Sequence, residues 1–330
     1  MIRNFVHFNH EQNQAQAEAQ AEAQAQAEAE AQTETQTETQ NHEESQYLGL
    51  IRDILTKGSI ETSRNGTTYS VFGAAMHFSL ENNRIPLLTS KKLAWKTCLK
   101  ELLWFIQGKT DNAILQSQGV HIWDANATRN YLVDNGLDHL NENDLGPIYG
   151  HQWRHFNAPY INCHTDYTGQ GVDQLQYIID SLKDENKRFS RRLLMSSWNP
   201  CQIGEMALPP CHVLCQFNVS RGNKLSCALY QRSGDVGLGV PFNIASYSFL
   251  THILAKHCGL EAYEFIYTLG NCHIYDDHVG PLKEQLTRQT YEFPTLHINE
   301  THENINDYSM ENFEINNYIS SDPIFMKMRA

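Results

Sequence analysis

The feature that most limits the fold of this chain is a long stretch near its N-terminus that offers nothing to bury. Residues 11–40 alternate Ala or Thr with Gln or Glu and contain no large apolar residue. Such a stretch cannot offset the entropy cost of ordering by burying surface, although its residue types allow transient helix. Regular apolar spacing begins near Tyr47. We therefore expect a disordered tail over residues 1–46 and one folded domain over residues 47–330.

Four segments of the folded part have apolar residues at helical spacing. The first begins at Tyr47 and ends before Gly58, a residue type that commonly follows a helix end. The other three cover about residues 93–107, 172–185 and 243–257, and Gly108 closes the first of these. The spacing predicts four substantial helices.

Strand character marks other segments, which predicts a mixed architecture. The clearest strands are residues 193–198, 212–219, 225–231 and 264–269, and an earlier one runs near Val71 to Leu80. Gly222-Asn223 separates two of them and predicts a tight hairpin. Without an internal linker or repeat, the folded part is expected to be a single α+β domain.

The charge of the chain is unevenly distributed. It has 25 Lys+Arg against 38 Asp+Glu, a net charge of −13, which disfavours non-specific binding to nucleic acid or an anionic membrane. The tail holds nine Glu and one Arg, or −8, and leaves −5 for the folded part. An anionic ligand would therefore need a local cluster of Arg.

Apolar runs and cysteine usage favour the cytoplasm. No run approaches the roughly 20 apolar residues of a membrane-spanning helix, and the first ten residues lack a signal-peptide core. Eight cysteines in such a chain predict free thiols, not a disulfide framework.

Cys211 is the leading candidate for a nucleophile. It follows Pro209-Pro210 and directly precedes a predicted strand that His212 opens. A cysteine becomes nucleophilic when cationic neighbours lower the pKa of its thiol and leave it partly exposed. Arg232 and the pair Arg191-Arg192 lie in neighbouring predicted strands or strand ends. The common alternative for a lone cysteine is a small buried side chain without chemistry.

A zinc site is the competing interpretation of the same residues. Cys211-His212 with Cys215, and Cys272-His273 with His278, offer thiolates and imidazoles. Neither group has the spacing of a CxxC pair or of an HExxH helix. No metal is therefore expected.

Arginines and one glutamate extend the candidate site. Arg64 lies in a turn-like segment, and Arg191-Arg192 precede an apolar strand. Several Arg in an acidic protein suit a phosphate group, although paired Arg at a strand start are usually solvated. Glu101 lies in an apolar helix, so a cleft beside Trp104 would raise the pKa of its carboxyl and let it move protons. A surface glutamate is the ordinary alternative.

The motifs of the chain, taken in order, resemble the thymidylate synthase family from about Tyr47 to Ala330. The matching runs are Glu101-Leu102-Leu103-Trp104-Phe105, Ile122-Trp123-Asp124-Ala125-Asn126, Asp144-Leu145-Gly146-Pro147 with Tyr149-Gly150, Gln152-Trp153-Arg154, Ser190-Arg191-Arg192, Met206 to His212, Leu229 to Asp235, Leu238 to Tyr247, and His273-Ile274-Tyr275.

The resemblance implies a fold and a reaction. The fold is a large mixed β-sheet packed with helices, with one sheet face used for a homodimer. The reaction converts dUMP to dTMP with 5,10-methylenetetrahydrofolate, which gives both the carbon and the hydride and leaves as dihydrofolate. The thiolate of Cys211 adds to carbon 6 of the pyrimidine, so that carbon 5 becomes the nucleophile.

The resemblance also implies roles for individual residues. The expected catalytic residues are Cys211, Glu101, Tyr149, Asn243 and Asp235. The expected dUMP contacts are Arg64, Gln231, Arg232, Ser233, Asn243, His273 and Tyr275, together with Arg191 and Arg192 donated by the partner subunit. The expected folate contacts are Lys91, Ile122, Trp123, Asn126, Asp235, Leu238, Phe242 and Ala330.

Some positions bear on alternatives to this reaction. Asn243 suits uracil, whereas the related dCMP hydroxymethylases have Asp at that position. Asn271 replaces an acidic residue usual in the family, Cys272 replaces a small one, and Arg329-Ala330 replaces an apolar end of a segment that closes over the ligands. A nucleotide hydroxymethylase is therefore the second interpretation of the sequence. The presence of Trp123 favours methylation over hydroxymethylation. A non-catalytic or RNA-binding relative, with the tail as an interaction segment, is the third interpretation.

Overall fold

The computed structural model describes residues 42–63, 66–220 and 222–329. It divides into two compact units, Met1–Ser45 and Gln46–Ala330, and the first is described only from residue 42. The predicted disorder of residues 1–46 thus falls almost wholly outside the described residues. Two expected site residues, Arg64 and Ala330, also lie outside them.

The described residues contain nine α-helices, five short 3₁₀-helices and eight strands. The helices are α1 (Glu44–Lys57), α2 (Trp95–Ile106), α3 (Asn112–Ser117), α4 (Asp124–Ala127), α5 (Arg129–Asp134), α6 (Tyr149–His155), α7 (Gln174–Lys183), α8 (Gly239–His257) and α9 (Val279–Gln285). The 3₁₀-helices are Glu81–Asn83, Ile203–Glu205, Asp276–His278, Ile305–Asp307 and Met310–Asn312. The strands are β1 (Ser59–Ser63), β2 (Gly66–Ser79), β3 (Leu194–Ser196), β4 (His212–Ser220), β5 (Lys224–Asp235), β6 (Glu261–Tyr275), β7 (Thr295–Ile298) and β8 (Phe313–Asn316).

Six of the strands form one mixed sheet in the order β1-β2-β6-β5-β4-β3. Neighbours are antiparallel except β5 and β6, which are parallel. A parallel pair needs a crossover connection, and α8 supplies it while packing on both strands. This confirms the expected α+β class with a large mixed sheet. The crossover also brings the end of β5, the start of α8 and the end of β6 together, since Asp235 is in register with His273.

The longest helix lies at the centre of the core. Helix α8 is apolar around most of its circumference, and α2, whose buried face includes Leu99 and Leu102, packs against it. All four predicted helices are present, with moderate differences at their ends. Helix α7 begins at Gln174 because the Asp173 side chain accepts the Gln176 N–H and caps it. Helix α8 begins four residues before the predicted start, since Pro241 is compatible with a first helical turn.

The predicted hairpin between β4 and β5 is confirmed. Gly222 and Asn223 both have positive φ, 79° and 59°. Two such residues give a turn whose twist matches the flanking strands. Among the described helices, none combines the length and the apolar character required to cross a bilayer.

Candidate active site

Cys211 is held directly before β4 by contacts to two other elements. Its N–H donates to the Tyr149 hydroxyl at 2.7 Å, and its carbonyl accepts the Arg232 N–H at 2.9 Å. A register shift in β4 follows at His212 to Leu214, so the strand is irregular where it leaves the site. The cysteine is partly buried. Helix α6 and strand β5 therefore fix its backbone from both sides.

Arg232 anchors the two prolines that precede Cys211. Its guanidinium donates from Nε to the Pro210 carbonyl and from Nη2 to the Pro209 carbonyl, each at 2.9 Å, and stacks 5.5 Å from the Trp198 ring centre. Burial raises the pKa of the Cys211 thiol, and the Arg232 charge only partly opposes that rise. In the protein without ligand, desolvation therefore outweighs the effect of the Arg232 cation on the pKa of this thiol.

Glu101 has the environment of a proton carrier. Burial raises the pKa of its carboxyl from 4.5 to about 7, against the opposing effect of a hydrogen bond from Trp123. In that bond the Trp123 indole N–H donates to Glu101 Oε1 at 2.7 Å. The expected neighbour Trp104 instead donates its indole N–H to the Asp111 carbonyl at 3.1 Å. The residue directly before helix α4 thus supplies the partner of Glu101.

Tyr149 lies between Cys211 and Trp123, with its ring centre 6.2 Å from that of Trp123. It is the first residue of α6 and is buried, and its hydroxyl also accepts the His212 N–H at 3.4 Å. Burial, chiefly, and then the nearby Cys211 raise the pKa of the phenol well above its usual value, with a smaller contribution from Glu101. The phenol is therefore neutral at physiological pH and can accept or donate a hydrogen bond.

The segment before Tyr149 leaves no room for another side chain. Gly146 has φ of 72°, and a Cβ there would collide with the Glu205 carbonyl. Asp144 Oδ1 accepts the Gly146 N–H at 3.0 Å, and the Ile148 N–H donates to the Gly146 carbonyl at 2.8 Å. These contacts explain the glycine in this motif and fix the start of α6.

Asn243 reaches the cluster through His212. The Asn243 side chain interacts with the His212 ring, which lies 5.0 Å from the Tyr149 ring between centres. Burial lowers the pKa of His212 to about 4 against the effect of that interaction, so its imidazole is neutral. Its Nδ1 has no hydrogen-bond partner among the described residues. Sequence reasoning did not place His212 among the site residues, and the only available signal was its position next to Cys211.

Asp235 organises the turn between β5 and α8. Its Oδ1 accepts the N–H groups of Gly237 and Leu238 at 2.9 and 3.3 Å, and His278 Nδ1 lies 3.7 Å away. Lys91 is buried and donates from Nζ to the Gly237 carbonyl at 2.5 Å. The ammonium of Lys91, an expected folate contact, thus lies against this turn.

The ends of β5 and β6 carry the remaining expected dUMP contacts. Gln231 donates to the Ser233 carbonyl at 2.8 Å and accepts the Tyr267 hydroxyl at 2.6 Å. His273 Nδ1 lies 3.0 Å from Asn271 Oδ1, and its ring is 5.3 Å from that of Tyr275. The unusual Asn271 is therefore the residue that orients His273.

Five of the expected folate contacts lie at or next to the starts of helices α4 and α8. Trp123 and Asn126 are buried, while Ile122, Leu238 and Phe242 are half-buried and pack against the core. The amide nitrogen of Asn126 has no hydrogen-bond partner among the described residues. A buried donor without a partner is unfavourable, and a bound ligand with an acceptor would satisfy it.

Arg191 and Arg192 lie apart from this cluster within one chain. They occupy the turn before β3, at the sheet edge two strands away from Arg232, and both are exposed. Among the described residues, no ion pair engages either guanidinium. The structure of the single chain does not bring them to Cys211.

The C-terminal segment packs beside the end of β6. Arg329 forms ion pairs with Asp277 at 3.0 Å and Asp276 at 3.4 Å, and it lies 5.8 Å from the Tyr275 ring centre. His278 Nε2 lies 2.7 Å from the Lys327 carbonyl. The polar ending that departs from the family pattern therefore has specific partners.

The comparisons with known proteins agree with this geometry. The profile of the family described as "Thymidylate synthase" matches residues 45–330. The chain is 51% identical over 288 residues to the thymidylate synthase of Equine herpesvirus 2 (strain 86/87), covering 87% of this chain and 98% of the relative. It is 50% identical over 288 residues to that of Human herpesvirus 8 type P (isolate GK18), covering 87% and 84%.

Bifunctional proteins are also among the relatives. The chain is 49% identical over 288 residues to the bifunctional dihydrofolate reductase-thymidylate synthase of Zea mays, and this match covers 87% of the chain and 54% of the relative. The chain thus spans about half the length of that bifunctional relative. The profile match and the identities show that this chain belongs to the thymidylate synthase family, the methyltransferases that make dTMP from dUMP with methylenetetrahydrofolate as co-substrate.

Proposed function

We propose that this chain itself converts dUMP to dTMP, with the thiol of Cys211 as the nucleophile. The observation that carries the proposal is that Tyr149, which accepts the Cys211 N–H, lies with its ring 6.2 Å from the ring of Trp123, the hydrogen-bond donor to Glu101. The Cys211 N–H donates to the Tyr149 hydroxyl, and the pKa of the nearby Glu101 carboxyl lies at about 7. A nucleophile and a group that exchanges protons near neutral pH thus lie in one buried place.

Binding of dUMP is proposed to bring Cys211 into its reactive state. Without ligand, burial holds the thiol protonated and Arg232 opposes this only in part. The thiolate adds to carbon 6 of the ring, and the bond order shifts toward the carbonyl at carbon 4, which becomes an enolate. The thiol gives its proton to water as the sulfur adds to the bound ring, so a thiolate need not persist in the free protein.

The polar groups around the ring are proposed to stabilise the enolate. Asn243, which interacts with the neutral His212, offers its amide to the uracil edge. Glu101 holds a proton near neutral pH and can return it to the carbonyl, while the Trp123 N–H stabilises the carboxylate after the proton leaves. The folate co-substrate supplies the one-carbon unit to carbon 5 and then the hydride that completes the methyl group. The buried Trp123 helps to exclude water during these steps.

The phosphate is proposed to lie between two subunits. Arg232 and Ser233 come from one chain, and Arg191 and Arg192 come from its partner. The support is twofold: both of these exposed arginines precede Leu194, and Leu194 is itself 41% exposed on a sheet. On the same sheet Tyr230 is 38% exposed and Phe72 is 83% exposed. Exposed apolar side chains on the same sheet as the strand that these cations precede suit a homodimer whose sites are shared.

A cytoplasmic location is part of the proposal. All eight cysteines are free thiols, and five of them are buried. Buried free thiols are typical of proteins that stay in a reducing compartment.

The proposal is tested with 5-fluoro-dUMP and methylenetetrahydrofolate. Carbon 5 of this analogue cannot lose its substituent as a proton, so the adduct with the enzyme should persist. Mass spectrometry of the peptide containing Cys211 should show the nucleotide and folate attached to that residue. Cys211→Ser should give no adduct, and Cys201→Ser, at an exposed cysteine, should give as much as the original protein. If both ligands bind without adduct, the proposal fails.

Product analysis with dUMP separates methylation from hydroxymethylation. We expect dTMP and dihydrofolate in equal amounts. Formation of 5-hydroxymethyl-dUMP without dihydrofolate would instead show that water traps the intermediate.

A further inference from the structure

A second cluster of ligating side chains lies where α3 begins, at the residue whose carbonyl accepts the Trp104 indole N–H. Asp111, Cys163 and His164 each offer one ligand atom, and these atoms all lie within 4.8 Å of one another. They line a cleft of about 580 Å³ that also contains His151 and His155. The cluster shares no residue with the dUMP or folate sites proposed above. We propose that Asp111, Cys163 and His164 bind a zinc-class divalent cation.

The loop carrying two of the ligands is held by the rest of the protein. The Cys163 N–H donates to Asp144 Oδ2 at 3.0 Å, and the His164 N–H donates to Asn162 Oδ1 at 2.9 Å. Further along the loop, the Tyr167 hydroxyl accepts the Asn162 N–H at 3.1 Å. The positions of both ligand backbones are therefore set before any metal arrives, which lowers the entropy cost of binding.

The third ligand, Asp111, lies at the start of α3, and one of its two carboxylate oxygens already accepts a hydrogen bond from that helix. Asp111 Oδ1 accepts the Ala113 N–H at 2.8 Å and caps α3. Its Oδ2 lies 3.9 Å from His164 Nδ1. The backbones of Asp111 and Asp144 form an isolated β-bridge, which joins this ligand to the residue that holds Cys163. Only Oδ2 is needed for the metal, so binding would leave the helix cap intact.

The distances permit a zinc ion after small side-chain rotations. Ligand atoms around tetrahedral zinc lie about 3.3–3.8 Å apart, given Zn–N, Zn–O and Zn–S bonds of about 2.0–2.3 Å. Ligand atoms at the 4.8 Å limit must therefore approach by about 1 to 1.5 Å. The His164 side chain is 73% exposed and can turn, and the fourth position would hold water. Thiolate and imidazole ligands favour zinc-class ions over Mg²⁺ or Ca²⁺, which prefer oxygen.

Local electrostatics also favour a cation. Asp144 is completely buried and is hydrogen-bonded by the Tyr160 hydroxyl at 2.6 Å, with no Lys or Arg ion pair among the described residues. A divalent cation would replace the Cys163 thiol proton, which is released to water, and would offset the negative charge gathered there.

The test uses the full chain after chelator treatment under reducing conditions. Zinc is added, the excess is removed by gel filtration, and bound metal is measured by elemental mass spectrometry. Cobalt added in place of zinc reports the thiolate through its sulfur-to-metal absorption band. We expect one zinc per chain, the cobalt band, and a higher thermal unfolding temperature with zinc than without it.

Variants decide whether this cluster is responsible. Cys163→Ser and His164→Asn should lose the retained zinc, and Cys163→Ser should lose the cobalt band. Asp111→Asn keeps the oxygen that caps α3 and should weaken binding by more than about tenfold. Cys201→Ser, at an exposed cysteine elsewhere, should bind as the original chain does.

Two results would overturn the proposal. One is a chain that retains no zinc while the thiols are reduced. The other is retention that is unchanged in Cys163→Ser but lost in Cys211→Ser, which would assign the metal to the nucleophile's thiol. Neither result bears on the 5-fluoro-dUMP adduct, so this proposal and the proposed function are tested separately.

Discussion

Replacing Glu101 by glutamine should stabilise the protein at alkaline pH while impairing catalysis. The new amide would keep an oxygen for the Trp123 N–H but could not carry a charge into the site. The pKa of Glu101 rises from 4.5 to about 7 in the folded chain, chiefly through burial. At about 1.4 kcal/mol per tenfold change in the proton equilibrium, the ionised form costs up to about 3 kcal/mol. Partial solvent contact makes that figure an upper value.

The sign of the pH dependence follows from linkage. A raised pKa means that the folded state binds this proton more tightly than the unfolded state does. The resulting stability is fully present below pH 4.5, falls as the pH rises, and is lost above about pH 7. The free energy of unfolding of Glu101→Gln minus that of the original protein should therefore grow by up to about 3 kcal/mol between pH 4.5 and pH 8.

Urea unfolding across this pH range, at one protein concentration, measures the difference. Glu142→Gln, at an exposed loop position, is the matched control and should show no comparable growth. The turnover number of Glu101→Gln should fall by about 10² or more, because a proton carrier is lost. A stability difference that stays constant from pH 4.5 to pH 8 would refute the assignment of a buried, nearly neutral carboxyl.

Three further predictions concern substrate choice, closure and assembly. Asn243→Asp should shift the preference from dUMP towards dCMP, because a carboxyl presents a different donor and acceptor pattern to the ring; unchanged dUMP turnover would count against this. Arg329→Ala removes the ion pairs with Asp276 and Asp277 and should raise the folate KM several-fold more than the dUMP KM; an equal effect on both would argue against a role in closure. Mixing inactive Arg192→Ala and Cys211→Ser chains should restore about a quarter of the original activity through hybrid dimers; no recovery after proven subunit exchange would contradict shared sites.

The sequence predicted long elements better than short ones. Helices such as α2 and α8 have enough turns for apolar spacing to emerge, and Gly108, with φ of 71°, ends α2 as expected. Helices α3 to α6 have between four and seven residues, which is too short for a period to show. The nucleophile was predictable because Cys211 lies in a long run, Met206 to His212, that matches the family.

Side-chain contacts between residues that are distant in the sequence could not be predicted. Glu101 and Trp123 lie on different elements, so only tertiary packing decides that their side chains meet. Lys91 and Gly237 are likewise far apart in the sequence, yet the Gly237 carbonyl accepts a hydrogen bond from the buried Lys91 ammonium. The raised pKa of Cys211 depends on a balance between burial and Arg232 that no local pattern contains.

The pairing of β2 with β6 has a consequence for how the chain acquires its fold. Phe72 is in register with Asn271, so the two strands join positions roughly 200 residues apart in the sequence. Closing so large a loop is slow, and β2 cannot find its partner during synthesis until most of the chain has left the ribosome. During that interval β2 is an unprotected strand edge bearing apolar residues such as Met76 and Phe78. Newly made chains should therefore depend on chaperones more than the stability of the finished protein would indicate, and pulse-labelling with chaperone depletion would measure that dependence.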